Sequence, residues 1–85
     1  MADVIHNPTA QVFTVTPDDA GEQAVLKYVF VNDNTVDFTS TFVPPALRNQ
    51  GLAEKLVHAG LAWARANHFN IEASCWYVAK FLRHG

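Results

Sequence analysis

Eighty-five residues leave room for one domain, spanning residues 1–85, and a chain this short hides only about 60–70% of the surface its unfolded form exposes. Six Lys and Arg against eight Asp and Glu give a net charge of −2, which argues against a nucleic-acid protein held chiefly by phosphate contacts. The single cysteine excludes an internal disulfide and a Cys-only zinc site, and no apolar run reaches the roughly 18–20 residues of a membrane span.

Hydrophobic residues make up 49% of the chain, enough for a core. The N-terminus holds Asp3, His6 and Pro8 and has neither the basic start nor the apolar stretch of a signal peptide. The expectation is a soluble, cytoplasmic protein of a reducing compartment, without nucleic-acid or membrane partners.

Residues 11–16 (QVFTVT) are rich in β-branched side chains and end at Pro17, which predicts a short strand. Pro17, Asp18, Asp19, Ala20 and Gly21 supply turn chemistry. Residues 23–31 (QAVLKYVFV) are nearly continuous in apolar residues and predict an interior strand. Asn32, Asp33 and Asn34 close a hairpin, because Asn and Asp tolerate left-handed backbone. Residues 35–43 (TVDFTSTFV) alternate, which puts Val36, Phe38, Ser40 and Phe42 on one face and Asp37, Thr39 and Thr41 on the other.

After Pro44 and Pro45 the period changes. Leu52, Leu56, Gly60 and Trp63 form one ridge, with Ala53, Val57, Leu61 and Ala64 beside it, so residues 51–66 predict an amphipathic helix. Asn67 is expected in the left-handed position that ends it. Residues 69–74 read as a strand and 76–83 as a two-turn helix. The pattern is mixed α/β (α+β): a three-stranded antiparallel meander, then a βαβ unit with parallel strands and a right-handed crossover, then a short C-terminal helix.

Charge is divided unevenly along the chain. Residues 1–47 carry one cation, Lys27, against six acids, a net −5; residues 48–85 carry five cations against Glu54 and Glu72, a net +3. An anionic ligand suits the second half and a cationic one the first. The segment between the third strand and the long helix lies in the basic half. There Gly51 opens a helix whose first N–H groups have no partners, and with the helix dipole these make a site for phosphates. Arg48 adds a permanent cation. Neither a Walker loop nor the three-glycine dinucleotide fingerprint is present.

Arg48, Asn49, Gln50, Gly51, Leu52 and Ala53 fit the Arg/Gln-x-x-Gly-x-Gly/Ala signature, and here the sequence resembles the GCN5-related N-acetyltransferases (GNAT), in which this loop holds the pyrophosphate of coenzyme A. The similarity is closer to a subgroup of small GCN5-like proteins. Thr41, Val43, Pro44, Leu47, Arg48, Gly51 and Ala53, followed by Cys75, Tyr77, Val78, Arg83 and His84, match its pattern over about residues 22–85. The resemblance implies the acyl-CoA N-acyltransferase fold and acetyl-CoA as cosubstrate, with no metal. It also implies an amine acceptor of unspecified identity, either a small amine or a protein lysine or N-terminus.

By the same resemblance Thr41, Phe42 and Val43 would offer backbone groups to the pantetheine arm. The amides of Asn49, Gln50, Gly51, Leu52 and Ala53, with Arg48 and Lys55, would hold the pyrophosphate. The thioester would enter a splay between the third strand and the strand at 69–74, where a backbone N–H polarises its carbonyl. Where several relatives have His-Thr-Glu-Val this chain has Ser40, Thr41, Phe42 and Val43, so a His and a carboxylate are absent and the general base is unassigned, with water relayed through Ser40 or Asp37 a weak substitute. Binding of coenzyme A without turnover is the alternative function, and an interaction domain of the same architecture a third.

Cys75 and Tyr77 are the catalytic candidates. Cys75 would protonate the leaving thiolate or be acylated as a nucleophile, and otherwise is a small buried hydrophobe. Tyr77 is a second proton donor, or a core residue with a satisfied hydroxyl. His6, His58, His68 and His84 show no metal-ligand spacing and read as surface residues. Trp63 and Trp76 read as core or rim packing, with Trp76 alternatively lining the acceptor entrance. Charged residues are 16% of the chain against about 25% in ordinary domains. With an incompletely walled sheet, that points to a homodimer or a partner supplying the missing wall.

Overall fold

The computed structural model of the chain describes residues 3–17, 21–48 and 50–84, with only the backbone of Arg83 and His84. Asp18, Asp19 and Ala20 of the expected turn and Asn49 of the expected phosphate loop lie outside the described residues. The elements run β1 (Val4–Asn7), β2 (Val12–Val15), β3 (Ala24–Asn32), β4 (Thr35–Phe42), a 3-10 turn at Pro45–Leu47, α1 (Leu52–Ala66), β5 (Asn70–Ala73) and α2 (Trp76–His84). The five strands lie in sequence order in one sheet, antiparallel except for the parallel pair β4 and β5. The meander, the βαβ unit and the C-terminal helix follow the sequence expectation. No helix among the described residues is long and apolar enough to cross a membrane.

Both helices pack on the same face of the sheet. Leu26, Val36 and Phe38 from the strands meet Leu56, Val57 and Ala64 of α1 and Val78 of α2, all fully buried. Each such large side chain contributes about 1.5–3 kcal/mol by leaving water. Gly60 is where α1 presses closest on the sheet: a Cβ there would sit 2.9 Å from Leu26 Cδ2 and 2.9 Å from Phe38 Cε1. The other face is uncovered, and Ile5, Val29, Val31 and Phe42 are exposed on it.

β1 is absent from the sequence expectation. Its four residues carry Val4 and Ile5 on opposite faces, so no apolar alternation marks it. It is held by His6, which faces inward and is not the surface residue expected: its ring stacks on Phe13 at 4.2 Å with 5° between planes. Its Nε2 lies 2.7 Å from Tyr28 Oη, and Trp63 meets it edge-on at 4.8 Å.

Three local expectations are corrected. Asn67 has φ −98° and caps α1 by donating from Nδ2 to Trp63 O at 2.8 Å; His68, at φ 60°, takes the left-handed conformation instead. In β4 the alternation breaks. Ser40 pairs with Lys27 and Phe38 with Tyr28, so Thr39 is an extra, unpaired residue, a β-bulge. Beyond it the faces exchange: Thr41 pairs with buried Leu26 on the helix side, and Phe42 pairs with Val25 and is 57% exposed on the open side. Phe42 therefore does not share a face with Val36 and Phe38. Trp76, 72% exposed, is likewise no packing residue.

Two outcomes are expected. Gly60→Val should destabilise the fold by about 2 kcal/mol, because Leu26 and Phe38 have no room to yield; a melting temperature equal to wild type would refute the tight contact. Burial lowers the pKa of His6 from its ordinary 6.5, so the unfolded chain binds a proton there more readily than the folded one. The stability that neutral His6 provides is complete above pH 6.5 and is lost as the pH falls through the lower folded value. His6→Phe should flatten this acid limb in denaturant titrations across that range.

Candidate active site

β4 and β5 run side by side for four rungs, from Thr35 and Asn70 to Phe38 and Ala73. The Cys75 N–H then donates to Phe38 O at 3.1 Å. Beyond that point the chain of β5 turns into α2, while β4 bulges at Thr39 and continues along β3 alone. The two strands therefore fork, as the family resemblance implies, and the fork opens toward the N-terminus of α1.

Cys75 sits in the fork as the residue before α2, its carbonyl accepting the first helical bond from the Ala79 N–H at 3.0 Å. Its thiol is half-buried, with Sγ 3.6 Å from Thr41 Oγ1. Burial pushes the thiol pKa up, but hydrogen bonds from the Val78 N–H, the Thr41 hydroxyl and the N–H groups of Tyr77 and Thr41 outweigh it and hold the thiol below its ordinary value of 9.0. The Thr41 backbone N–H is thus aimed into the fork, as the bulge requires. Cys75 is the start of a helix and shares in its dipole, which favours the thiolate further.

The expected phosphate loop lies next to the fork. A cavity of about 260 Å³ is lined by Val43, Leu47, Arg48, Gly51, Leu52, Ala53, Glu54 and Tyr77. Gly51 caps α1 at φ 72° and ψ 17°, a conformation disfavoured for side chains, with no side chain capping the helix N–H groups. The first intrahelical bond, Lys55 N–H to Gly51 O, is 3.1 Å, so the N–H groups of Leu52, Ala53 and Glu54 precede the ladder and point outward. Among the described residues, and apart from its chain neighbours and its own helix's backbone, no atom lies within 4 Å of where a Gly51 Cβ would stand. Its necessity is therefore conformational on the protein's side. The bare approach it leaves is available to a ligand.

The remaining expected residues divide. Leu52 buries its side chain and presents only its backbone, while Gln50 and Lys55 are exposed around the same turn. Arg48 donates from Nε to Val43 O at 3.2 Å, which pins the guanidinium between strand end and cavity and occupies one carbonyl expected to face the pantetheine arm. Tyr77 lines the cavity, and burial, with Glu54 adding to it, raises the pKa of its phenol. Phe42 departs from the group: its side chain lies on the other face, lining a separate groove with Thr16, Gly21, Glu22, Gln23, Pro44 and Pro45.

A further pair bridges the fork: Ser74, which had no assigned role in the sequence, and Asp37, which entered there only as a weak water relay. Asp37 Oδ1 accepts the Ser74 N–H at 2.8 Å, and Asp37 Oδ2 accepts the Ser74 hydroxyl at 2.6 Å. The pair bridges β4 to the turn that carries Cys75. Its signal in the sequence is slight, an Asp inside a strand and a Ser just past another.

A five-stranded sheet whose parallel pair forks beside an uncapped helix N-terminus defines a GNAT-like fold. A model of the GCN5-related N-acetyltransferase domain matches residues 12–85, and the chain belongs to that family. It is 34% identical over 80 residues to the cattle protein NATD1, covering 94% of this chain and 71% of the relative. Against human NATD1 it is 32% identical over the same length, with the same coverage of both. The solution structure of a GCN5-like protein from Staphylococcus aureus superposes with a TM-score of 0.74 at 28% identity, covering 96% of this chain and 78% of the other.

The thiol of Cys75 should show the environment directly. Thr41→Val removes one hydrogen bond to Sγ, and alkylation by iodoacetamide at pH 7.5 should slow by roughly two- to tenfold, the equivalent of one such bond. An unchanged rate would mean that Thr41 does not hold the thiolate.

Proposed function

We propose that this chain is an acetyl-CoA-dependent N-acetyltransferase that passes the acetyl group to an amine by direct attack while both substrates are bound. The observation that carries this is the fork itself: the Thr41 hydroxyl and the Cys75 thiol meet in it, and Val43 and Tyr77, two residues on from each, line the cavity at the uncapped N-terminus of α1. Family membership supports the reaction class.

In this mechanism the N–H groups of Leu52, Ala53 and Glu54 take the pyrophosphate, together with Gln50 and Asn49 of the loop. Arg48 keeps Nε on Val43 O and turns its remaining N–H groups to the phosphates, with Lys55 on the same turn. The pantetheine arm lies along the free edge of Thr41, Phe42 and Val43. For Phe42 the backbone alone serves, since its side chain is on the far face. The thioester carbonyl accepts the Thr41 N–H in place of Cys75 Sγ, and this bond strengthens as negative charge develops on the oxygen.

An uncharged amine attacks the carbonyl carbon, the carbon–sulfur bond breaks, and the departing sulfur needs one proton. Cys75 is the stronger acid, because its surroundings favour giving up the proton. Tyr77, whose raised pKa keeps its phenol protonated, is a weaker donor from the cavity wall. A binding-only function is favoured by one feature: Ser40 and Phe42, at positions where relatives carry ionisable groups, are exposed and neither can take a proton.

Free-thiol release from acetyl-CoA with a panel of primary amines, alongside calorimetric titration of the coenzyme, tests the proposal. Wild type should bind and release thiol. Gly51→Glu, which sets a carboxylate at the phosphate position, should abolish both, and Cys75→Ala should bind normally and turn over at least tenfold more slowly. Mass spectrometry should find no acetyl adduct on Cys75; such an adduct would replace direct attack by a covalent intermediate. Binding without thiol release leaves the binding-only function, and no heat at millimolar acetyl-CoA would overturn both.

A further inference from the structure

The fork has two sides. On the helix side Thr41, Cys75 and Tyr77 stand beside the cavity at the start of α1. On the uncovered side the strand alternation places Asp37 of β4 and Glu72 and Ser74 of β5 and its turn; Asp37 and Glu72 are register partners. Ser40 follows on β4, with Lys27 opposite it on β3. Coenzyme bound at the helix side leaves a second substrate only the open side from which to reach the thioester carbon.

We infer that Ser74 and Asp37 receive the acceptor's proton: a primary amine docks from the open face with its nitrogen on Ser74 Oγ, and Asp37 takes the proton that Ser74 hands on. The inference rests on the acetyl-transfer function proposed above and supplies the base which that function lacks. Three observations converge. The Ser74 hydroxyl donates to Asp37 Oδ2 at 2.6 Å, a short charge-assisted bond along which a proton can move. The Ser74 N–H on Oδ1 at 2.8 Å fixes the carboxylate in one orientation. The pair is attached to the last rung before the strands part, next to Cys75, whose own N–H closes that rung.

The protons balance. As the nitrogen–carbon bond forms and the carbon–sulfur bond breaks, the nitrogen sheds one proton and the sulfur gains one. The nitrogen's proton passes to Ser74 Oγ as the Ser74 proton moves to Asp37; the sulfur takes its proton from Cys75 on the opposite side. Water then removes the proton from Asp37 and restores that of Cys75. Asp37 acts through Ser74, so it is a positioning and proton-storing residue, and Ser74 is the group that touches substrate. With Asp37 and Glu72 adjacent, the floor of this side is negative and selects amines on neutral or cationic carriers, such as a lysine side chain, over amines that bear a neighbouring carboxylate.

The test compares wild type with Asp37→Asn, which keeps an oxygen for the Ser74 N–H but not a base, and with Ser74→Ala and Ser74→Thr. With Nα-acetyl-lysine methylamide as the amine, Asp37→Asn and Ser74→Ala should lower kcat by about a hundredfold. Ser74→Thr should recover most of it. The acetyl-CoA Kd and the rate of Cys75 alkylation should stay within twofold of wild type in all three. Wild-type turnover in Asp37→Asn, or an equal loss of coenzyme affinity, would overturn the relay. A second measurement does not depend on turnover: titrating the 15N-labelled chain with the same amine should move the Ser74 and Asp37 amide signals saturably, and Asp37→Asn should abolish this. Absence of that shift overturns the acceptor site even where coenzyme binds, whereas failure of coenzyme to bind at Gly51 overturns the parent function.

Discussion

Thr39 has no register partner on β3, because Lys27 faces Ser40 while Tyr28 faces Phe38, although its hydroxyl donates across to Lys27 O at 3.4 Å. That extra residue bends β4 away from β5 one step after the last parallel rung and exchanges the two faces of the strand. Without it Thr41 would point away from the helices and Phe42 would enter the core. With it the Thr41 N–H and hydroxyl converge on Cys75, and Asp37, just before the bulge, reaches the Ser74 turn. The fork and the lowered thiol pKa therefore share one cause in the backbone.

The second requirement is a rigid platform behind the fork. α1 is seated against the sheet at Gly60, where no side chain intervenes, and its N-terminus is held by the left-handed Gly51. Its dipole and free N–H groups are thereby fixed at the cavity that Tyr77, two residues past the thiol, also lines. At the far end, the ring cluster of His6, Phe13, Tyr28 and Trp63 anchors β1 and the end of α1. The charge division seen in the sequence follows this layout: Arg48 and Lys55 of the basic half border the phosphate loop, and Asp37 of the acidic half looks onto the open side.

Much of this was legible in the sequence. The change of period at Pro44 and Pro45 marks the passage from strands to α1, and Arg48 to Ala53 marks the loop, because a glycine before an amphipathic run with no capping side chain leaves few alternatives. Cys75 was singled out by its match to the Cys-x-Tyr-Val pattern of the resemblance, at the end of the last strand. The face of Phe42 was not, since a bulge is a matter of register between two strands and one strand's alternation cannot show it. β1 escaped because four residues with an inward histidine carry no apolar rhythm; what holds His6 is a stack on Phe13, seven positions along. Asp37 and Ser74 stand 37 residues apart, and only the parallel pairing of β4 with β5 brings them together.

The central claim is that the bulge and the α1 N-terminus form one coenzyme site. It is tested most directly by following backbone amide signals of the 15N-labelled chain as acetyl-CoA is added. Saturable shifts at Leu52, Ala53 and Glu54, together with a shift at Thr41 as its N–H changes from Cys75 Sγ to the thioester oxygen, are the predicted result. Shifts confined to the open face around Val29, Val31 and Phe42, with Thr41 and the start of α1 unmoved, would contradict it.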